Sequence, residues 1–479
     1  MRRLLVANRG EIARRIFATC RRLGIDTVAV HSDADADAPF VRDADLAVAL
    51  GGAAPAESYL RADAIIAAAR ATGADAIHPG YGFLSEDAGF AAAVAAAGLR
   101  WIGPSPETIE AMGSKLRARE LMAAAGVPVL PGGRIAEDVG DDDLRAQADA
   151  VGFPLLVKAS AGGGGRGMRL VEDPAALAGA VASARHEAAS AFGDGTVFLE
   201  RYVTRPRHVE VQILGDLHGT VSALPERDCS IQRRHQKLIE ESPAPAIGDD
   251  VRTVLADAAH KAAGALGYVS AGTVEFVLAD GGGGRDADPA VFFLEVNTRL
   301  QVEHPVTELV TGLDLVELQL RIAEGEPLPA AAIDPPARGH AIEARLVAED
   351  PAAGWLPQTG LVEQFGFAGA DGRALRIDSG VEPGSVVSPH YDSMLAKVIV
   401  HAPTRDAAIR RLADALRRAE LAGPRTARDL LVRTLESPSF RNVTHDTQLL
   451  DGDALADLAA PLVTGEPLRW AAAAAALAL

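Results

Sequence analysis

The sequence predicts an α/β region followed by α+β and β-rich sections, on three observations. The first hundred residues alternate short apolar runs with helical stretches. Glycine-punctuated strands and helices then mix, and from about Gly339 the chain reads as strands before turning helical. Taken in order, residues 4–7 form an apolar run. Asn8, Arg9 and Gly10 turn it into a helix from Glu11 to about Leu23. Residues 28–30, 76–78 and 101–103 are further strands, with helices near 62–71 and 87–97 between them, a rhythm that implies a parallel sheet. A small unit is expected from about Pro131 to Val203: a strand at 153–158, a glycine run, a strand at 168–171, a helix from Pro174 and a strand at 197–202. Strands at 208–214 and 220–224 flank a turn. Residues 280–289 (DGGGGRDADP) read as a hairpin tip, and 405–419 and 426–436 as helices.

Composition bounds the function. The 479 residues imply more than one packed unit, and 48% apolar residues supply the cores. A formal charge of −18 argues against a protein that neutralises nucleic-acid phosphates, without excluding a local basic pocket. Two cysteines, Cys20 and Cys229, form neither a metal spacing nor a disulfide framework. The basic N-terminus lacks the apolar core of a signal peptide, and the apolar run 470–479 is about half the roughly 20 residues of a membrane span. A cytoplasmic protein is expected. Of the 47 basic residues only five are lysine: Lys115, Lys158, Lys237, Lys261 and Lys397. Each is a candidate for a position that needs a compact ammonium rather than a planar guanidinium.

Four segments carry chemistry. In the first, an apolar strand ends in Lys158 and runs into the glycines at 162–165 and 167, with Arg166 among them. Glycine lets backbone N–H groups approach phosphate oxygens. The lysine precedes the glycines, so this is no Walker loop; it reads as a flap, with an ordinary hairpin as the alternative. In the second, residues 273–303, strand alternation puts Thr273, Glu275 and Val277 on one face and Phe293, Glu295 and Asn297 on another. Paired as a hairpin, these strands would join two carboxylates and an amide oxygen, a hard-oxygen set suited to Mg²⁺ on phosphates. The alternation continues through Arg299, Gln301 and Glu303, which would line one wall of a cleft. The third segment, 226–237, crowds Arg233, Arg234, His235 and Lys237 beside Gln232, as a local anion site or a surface stripe. The fourth, His78 to Glu86 with Tyr81, follows a sheet strand, where α/β sites form; a turn and helix cap is the alternative.

Together, ANRGEIA, HPGYGFLSE, AGGGGRGM, RHVEVQ, ERDCSIQRRHQK, GTVEF, LEVNTRLQVEHPVTE, GHAIEAR and YDSMLAKV, in that order, resemble biotin carboxylases of the ATP-grasp superfamily, from Leu4 to about Leu450. The resemblance implies a Rossmann-like preATP-grasp domain (1–114), an ATP-grasp domain (115–328) with a mobile lid near 131–203, and a β-rich biotin carboxylase C-terminal domain (329–450). Residues 451–479 would be an extension. It implies ATP, Mg²⁺ (or Mn²⁺) and carrier-bound biotin as the molecules bound. Lys115, Lys158, His208, Gln232 and His235 would contact the nucleotide, Gly164 and Gly165 would close over it, and Glu200, Arg201, Tyr202 and Val203 would receive the adenine. Glu275, Glu295 and Asn297 would hold the metal. Lys237, Arg299, Gln301 and Val302 would bind bicarbonate, Glu303 would be the base, and Arg345 with Tyr81 would face biotin. A carrier domain or protein, a carboxyltransferase and a second copy of the chain are the implied partners. Ala161 stands where many relatives have glycine, and Ser114 where aspartate is common before Lys115. DPAAGWLPQTG and VSPHYDSMLAKV are most like the N-terminal part of acyl-CoA carboxylase α-chains.

Overall fold

The computed structural model describes residues 1–136, 138–160, 168–279, 289–370, 374–452 and 454–463. The expected flap glycines, Gly164 and Gly165 included, most of the 280–289 tip and the alanine-rich end lie outside the described residues.

The N-terminal apolar runs form a five-stranded, all-parallel sheet. Its spatial order is Leu46–Ala49, Asp26–His31, Arg3–Val6, Ala76–His78, Arg100–Trp101. The order reverses between Arg3–Val6 and Ala76–His78, so a binding crevice opens beyond the carboxyl ends of these two strands. The segments that follow them are Asn8–Gly10 and Pro79–Gly82, two of the motifs singled out in the sequence. Asn8 ties them together, its Nδ2 donating to the carbonyls of Pro79 and Tyr81 at 2.7 Å each. Gly80, at φ +64°, sits so close that a Cβ would lie 2.8 Å from Asn8 Nδ2. Glycine is required there by both conformation and contact.

The small unit is a four-stranded antiparallel sheet: Gly132–Arg134, Val197–Arg201, Leu155–Ala159, Met168–Val171. The helices Asp141–Val151 and Leu177–Phe192 belong to the same unit, and their Leu144, Ala148, Val181 and Ala184 share its core with Leu155, Val157 and Leu199. Lys115 opens the helix Lys115–Ala124, and Ser114 is its N-cap, accepting from the Arg117 N–H at 3.3 Å. Serine and aspartate both cap well, so the Ser114 departure keeps the helix start intact.

The main scaffold is a nine-stranded antiparallel sheet. From one edge it runs Ala290–Asn297, Ser270–Ala279, Arg207–Gly215, Arg227–Arg233, Gln236–Ser242, His340–Val347, Met394–Ala402, Leu375–Ser379, with Val221–Ala223 beside Arg207–Gly215. Gln236–Ser242 pairs directly with His340–Val347, so the sheet is continuous across the boundary expected near residue 328. That continuity makes one wall out of segments a hundred residues apart. Cys20 and Cys229 are both buried and free. Among the described residues, no helix is long and apolar enough to cross a membrane.

Candidate active site

The strands Ser270–Ala279 and Ala290–Asn297 pair antiparallel, with Glu275 opposite Glu295 and Thr273 opposite Asn297. One expectation needs correction. Phe293 does not share a face with Glu295: the register slips between Glu275 and Phe276, leaving Leu294 as an extra residue. A bulge of this kind reverses the alternation. Phe293 is therefore buried in the core with Val291 and Val296 and only borders the cleft, into which Glu295 and Asn297 bring their polar groups. The strand also ends at Asn297, so Arg299, Gln301 and Glu303 follow on a turn leading into the helix His304–Thr311. Side-chain bonds, not pleating, hold the row together. Arg299 donates to Gln301 Oε1 at 2.8 Å and to Asn297 Oδ1 at 3.2 Å. Asn297 and Gln301 donate to Glu275 Oε1 at 2.8 and 3.1 Å.

Glu303 sits at the floor of a cleft of about 920 Å³. It is fully buried; Oε1 accepts from Lys237 at 2.6 Å and Oε2 from Arg345 at 3.0 Å. Burial works to raise its pKa, and Lys237, Arg345 and Arg227 outweigh burial, holding the carboxyl well below its ordinary range. Lys237 also pairs with Glu210 and, at 2.9 Å, with Glu275. Burial opposes its charge, but three surrounding acids keep the ammonium well above its usual pKa. Glu275 is likewise kept ionised against burial by Lys237 and His208, whose Nε2 lies 2.7 Å from Glu275 Oε2.

The residues expected to contact the nucleotide line the same cleft. Lys158 pairs with Glu200 at 2.6 Å, and Lys115 lies 3.5 Å from Glu295. Glu200, Arg201, Tyr202 and Val203 lie along one wall, and Tyr202 Oη accepts from Gln448 at 2.9 Å. The basic crowd forms a two-residue hairpin: Arg233 pairs with Gln236, and Arg234 and His235 take φ of +47° and +66°. Such turns normally use Asn-Gly. Two non-glycine residues held left-handed are strained, and here they edge the cleft. Gln232, buried behind the turn, donates to the Cys229 carbonyl at 3.2 Å. Tyr81 lines the opposite edge, its hydroxyl bonded to Glu11. Val302 lines the cleft beside Glu303. Of the residues singled out as site candidates, all but Gly164 and Gly165 therefore meet in one cleft.

A divalent cation fits one corner of it. Glu275 and Glu295 are opposite each other across the ladder with Asn297 adjacent, and the Glu295 side chain is 42% exposed, the nearest cation among the described residues being Lys115 at 3.5 Å. Two other clusters could offer three ligand atoms among the described residues: His208, Glu210 and Glu275; and Glu210, Cys229 and Glu303. Both depend on Glu210, whose two oxygens are already taken by Arg227 and Lys237; Glu275 also carries Lys237 and His208, so the metal corner opens on the exposed Glu295.

The sequence reading missed three charged residues of this floor: Glu210, Arg227 and Glu240. Arg227 is wholly buried. It pairs with Glu210 and donates to Gln212 Oε1 and Thr307 Oγ1 at 2.9 Å each and to Thr273 Oγ1 at 3.1 Å. Glu240 accepts from Arg345, and burial pushes its carboxyl up to about 7. The available signal was Glu210, a lone acid between two valines in an apolar strand; Arg227 and Glu240 each stand beside other charged residues and offered none. Arg227→Met is expected to cost roughly 3–5 kcal/mol, since it removes one partner of a buried pair. Adding Glu210→Gln should recover part of that loss in denaturant unfolding. Unchanged unfolding of Arg227→Met would show that the pair is not holding the floor.

Comparisons with known proteins agree with this geometry. Three family models match successive parts of the chain: "Biotin carboxylase, N-terminal domain" over residues 1–109, "Carbamoyl-phosphate synthase L chain, ATP binding domain" over 114–331, and "Biotin carboxylase C-terminal domain" over 343–452. The biotin carboxylase of Halalkalibacterium halodurans is 49% identical over 441 residues, covering 92% of this chain and 95% of that one. The mitochondrial methylcrotonoyl-CoA carboxylase subunit alpha of Oryza sativa subsp. japonica is 49% identical over 450 residues, 94% of this chain and 60% of that protein. The chain thus spans about three fifths of the rice subunit's length. Among solved structures, a Campylobacter jejuni biotin carboxylase–β,γ-ATP complex superposes with a TM-score of 0.88 at 44% identity, covering 94% of this chain and 98% of that one. The biotin carboxylase domain of Hydrogenobacter thermophilus 2-oxoglutarate carboxylase, solved with MgADP and bicarbonate, gives 0.87 at 42%, covering 94% and 97%. The chain belongs to the biotin carboxylase family.

Proposed function

We propose that this chain carboxylates biotin in an ATP- and bicarbonate-dependent reaction, the first half of an acyl-CoA or related carboxylation. One observation carries the reading: a buried, ionised Glu303 held between Lys237 and Arg345, and linked through Lys237 to Glu275 of the Glu275–Glu295–Asn297 corner. Lys115, Lys158, His208, Gln232 and His235, with residues 200–203, receive the nucleotide, and the small sheet unit near 131–203 closes as a lid. Mg²⁺ (or Mn²⁺) held by Glu275, Glu295 and Asn297 supplies charge neutralisation and alignment of the phosphates. Lys237, Arg299, Gln301 and the Val302 backbone hold bicarbonate next to Glu303. Glu303 takes the bicarbonate proton, and the freed oxygen attacks the γ-phosphate, giving ADP and carboxyphosphate. Arg345 and Tyr81 face the ureido ring of biotin, where the released CO₂ is captured.

Bicarbonate also resolves an apparent conflict. A carboxylate clamped by two cations is a weak base. An anion that draws Lys237 away returns basicity to Glu303 at the moment it is needed.

In the same reading, biotin arrives on a carrier domain or protein, a carboxyltransferase completes the sequence, the chain pairs with a second copy, and the setting is the cytoplasm. The purified chain with MgATP is expected to release ADP only when bicarbonate is present, and to form carboxybiotin from free biotin. ADP release indifferent to bicarbonate would sink the proposal.

A further inference from the structure

Three of the five lysines belong to the cleft, and Lys261 pairs with Asp257 on an exposed helix face. Lys397 remains. It lies on the strand Met394–Ala402, outside the cleft, and is completely buried. Its ammonium meets three separate parts of the chain. It donates to the Val302 carbonyl at 2.9 Å, pairs with Glu11 Oε1 at 3.1 Å, and lies 3.7 Å from Asp378. Those acceptors come from the turn before His304–Thr311, the first N-terminal helix Gly10–Leu23, and the strand Leu375–Ser379. A carbonyl and a carboxylate oxygen within 3.1 Å, with a second carboxylate at 3.7 Å, suit a compact point charge rather than a flat guanidinium. In a chain that otherwise prefers arginine, this accounts for lysine at the position.

Two of the contacts lead straight to the cleft. Val302 is the residue before Glu303 and itself lines the cleft. Glu11 Oε1, the atom paired with Lys397, also accepts the Tyr81 hydroxyl. Lys397 is, in addition, the direct cross-strand partner of Arg345. Burial opposes the charge on Lys397, but Glu11, Glu343 and Asp378 more than restore it, so the ammonium is present to do the holding.

We infer that Lys397 is a positioning residue: through Val302 it fixes the turn that carries Glu303, and through Glu11 it fixes Tyr81, so that one buried ammonium aligns the bicarbonate and biotin ends of the site. The inference rests on the biotin carboxylase reading above and adds a residue that touches no substrate. It does not extend to the nucleotide end, since Lys115, Lys158 and residues 200–203 make no contact with this cluster.

Removing Lys397 alone would strand the Glu11 carboxylate in the interior and confuse misfolding with misalignment. The informative protein is therefore Lys397→Met combined with Glu11→Gln, which removes both charges, leaves Asp378 paired with Arg376 at 2.7 Å, and leaves Glu343 neutral, since burial already holds its carboxyl well above the ordinary range. The expected result is a folded protein whose KM for bicarbonate and for free biotin rises about tenfold or more, while KM for ATP stays within about twofold; a tenfold change corresponds to roughly 1.4 kcal/mol, the scale of one charge-assisted hydrogen bond. Lys397→Arg should not restore either value. Wild-type KM values for bicarbonate and biotin in the folded double variant would overturn the inference, as would an equal rise in all three. The wild-type protein run alongside separates the two levels: if it shows no bicarbonate-dependent ADP release, the functional reading fails, and this inference with it.

Discussion

Glu303→Gln is expected to lower bicarbonate-dependent ADP formation by roughly 10²–10⁴, the usual worth of a positioned general base. Glutamine keeps the volume and still accepts a hydrogen bond from Lys237 or Arg345, so the floor of the cleft should stay in place. What it loses is the ability to take a proton. The carboxylate is buried yet ionised because Lys237, Arg345 and Arg227 outweigh desolvation. The charge balance also tolerates the change: Lys237 retains Glu210 and Glu275, and Arg345 retains Glu240. ATP affinity, assigned in the proposed reading to groups at the other end of the cleft, should remain near wild type. Turnover within a few fold of wild type would remove Glu303 from the role of base. A large loss of ATP affinity would instead make it a structural residue.

The same floor shows what could be read without coordinates and what could not. Period-two alternation brought Glu275 and Glu295 to one ladder, because side-chain direction in a strand is a local property. It misplaced Phe293, because a bulge depends on how two strands meet and leaves no mark in either one alone. The alternating row from Glu295 to Glu303 does line one cleft, but only its start is strand: a turn begins after Asn297 and hydrogen bonds replace the pleat. Arg227, Glu210 and Glu240 escaped notice although Arg227 and Glu210 lie inside quoted motifs. Their importance comes from pairing across Arg207–Gly215, Arg227–Arg233 and Gln236–Ser242, which only the sheet order reveals. Conversely, the rarity of lysine marks Lys397 in the sequence, although its partners Val302, Glu11 and Asp378 come from distant parts of the chain.

Lysine placement also carries the second large effect: supplied with ATP, Mg²⁺, bicarbonate and free biotin, this chain should form carboxybiotin slowly, and adding an acyl-CoA should give no carboxylated thioester at all. Free biotin lacks the positioning that a carrier supplies, which accounts for the slow first step. The missing second step follows from what the five lysines can and cannot do. A lysine that carries biotin must project freely into solvent to swing between sites. Lys397 is wholly buried, and the Lys158 and Lys237 side chains are only 9% and 11% exposed. Lys115, 28% exposed, sits at a helix start facing Glu295. Lys261, the most open at 44%, lies inside the helix Asp249–Leu266 and pairs with Asp257 one turn away. Mass spectrometry of the protein expressed with a biotin ligase should therefore find no added biotin. Acyl-CoA carboxylation should begin only when a biotinylated carrier and a carboxyltransferase are both added. A biotin adduct on any of the five lysines, or thioester carboxylation by this chain alone, would show that the site does more than the first half-reaction.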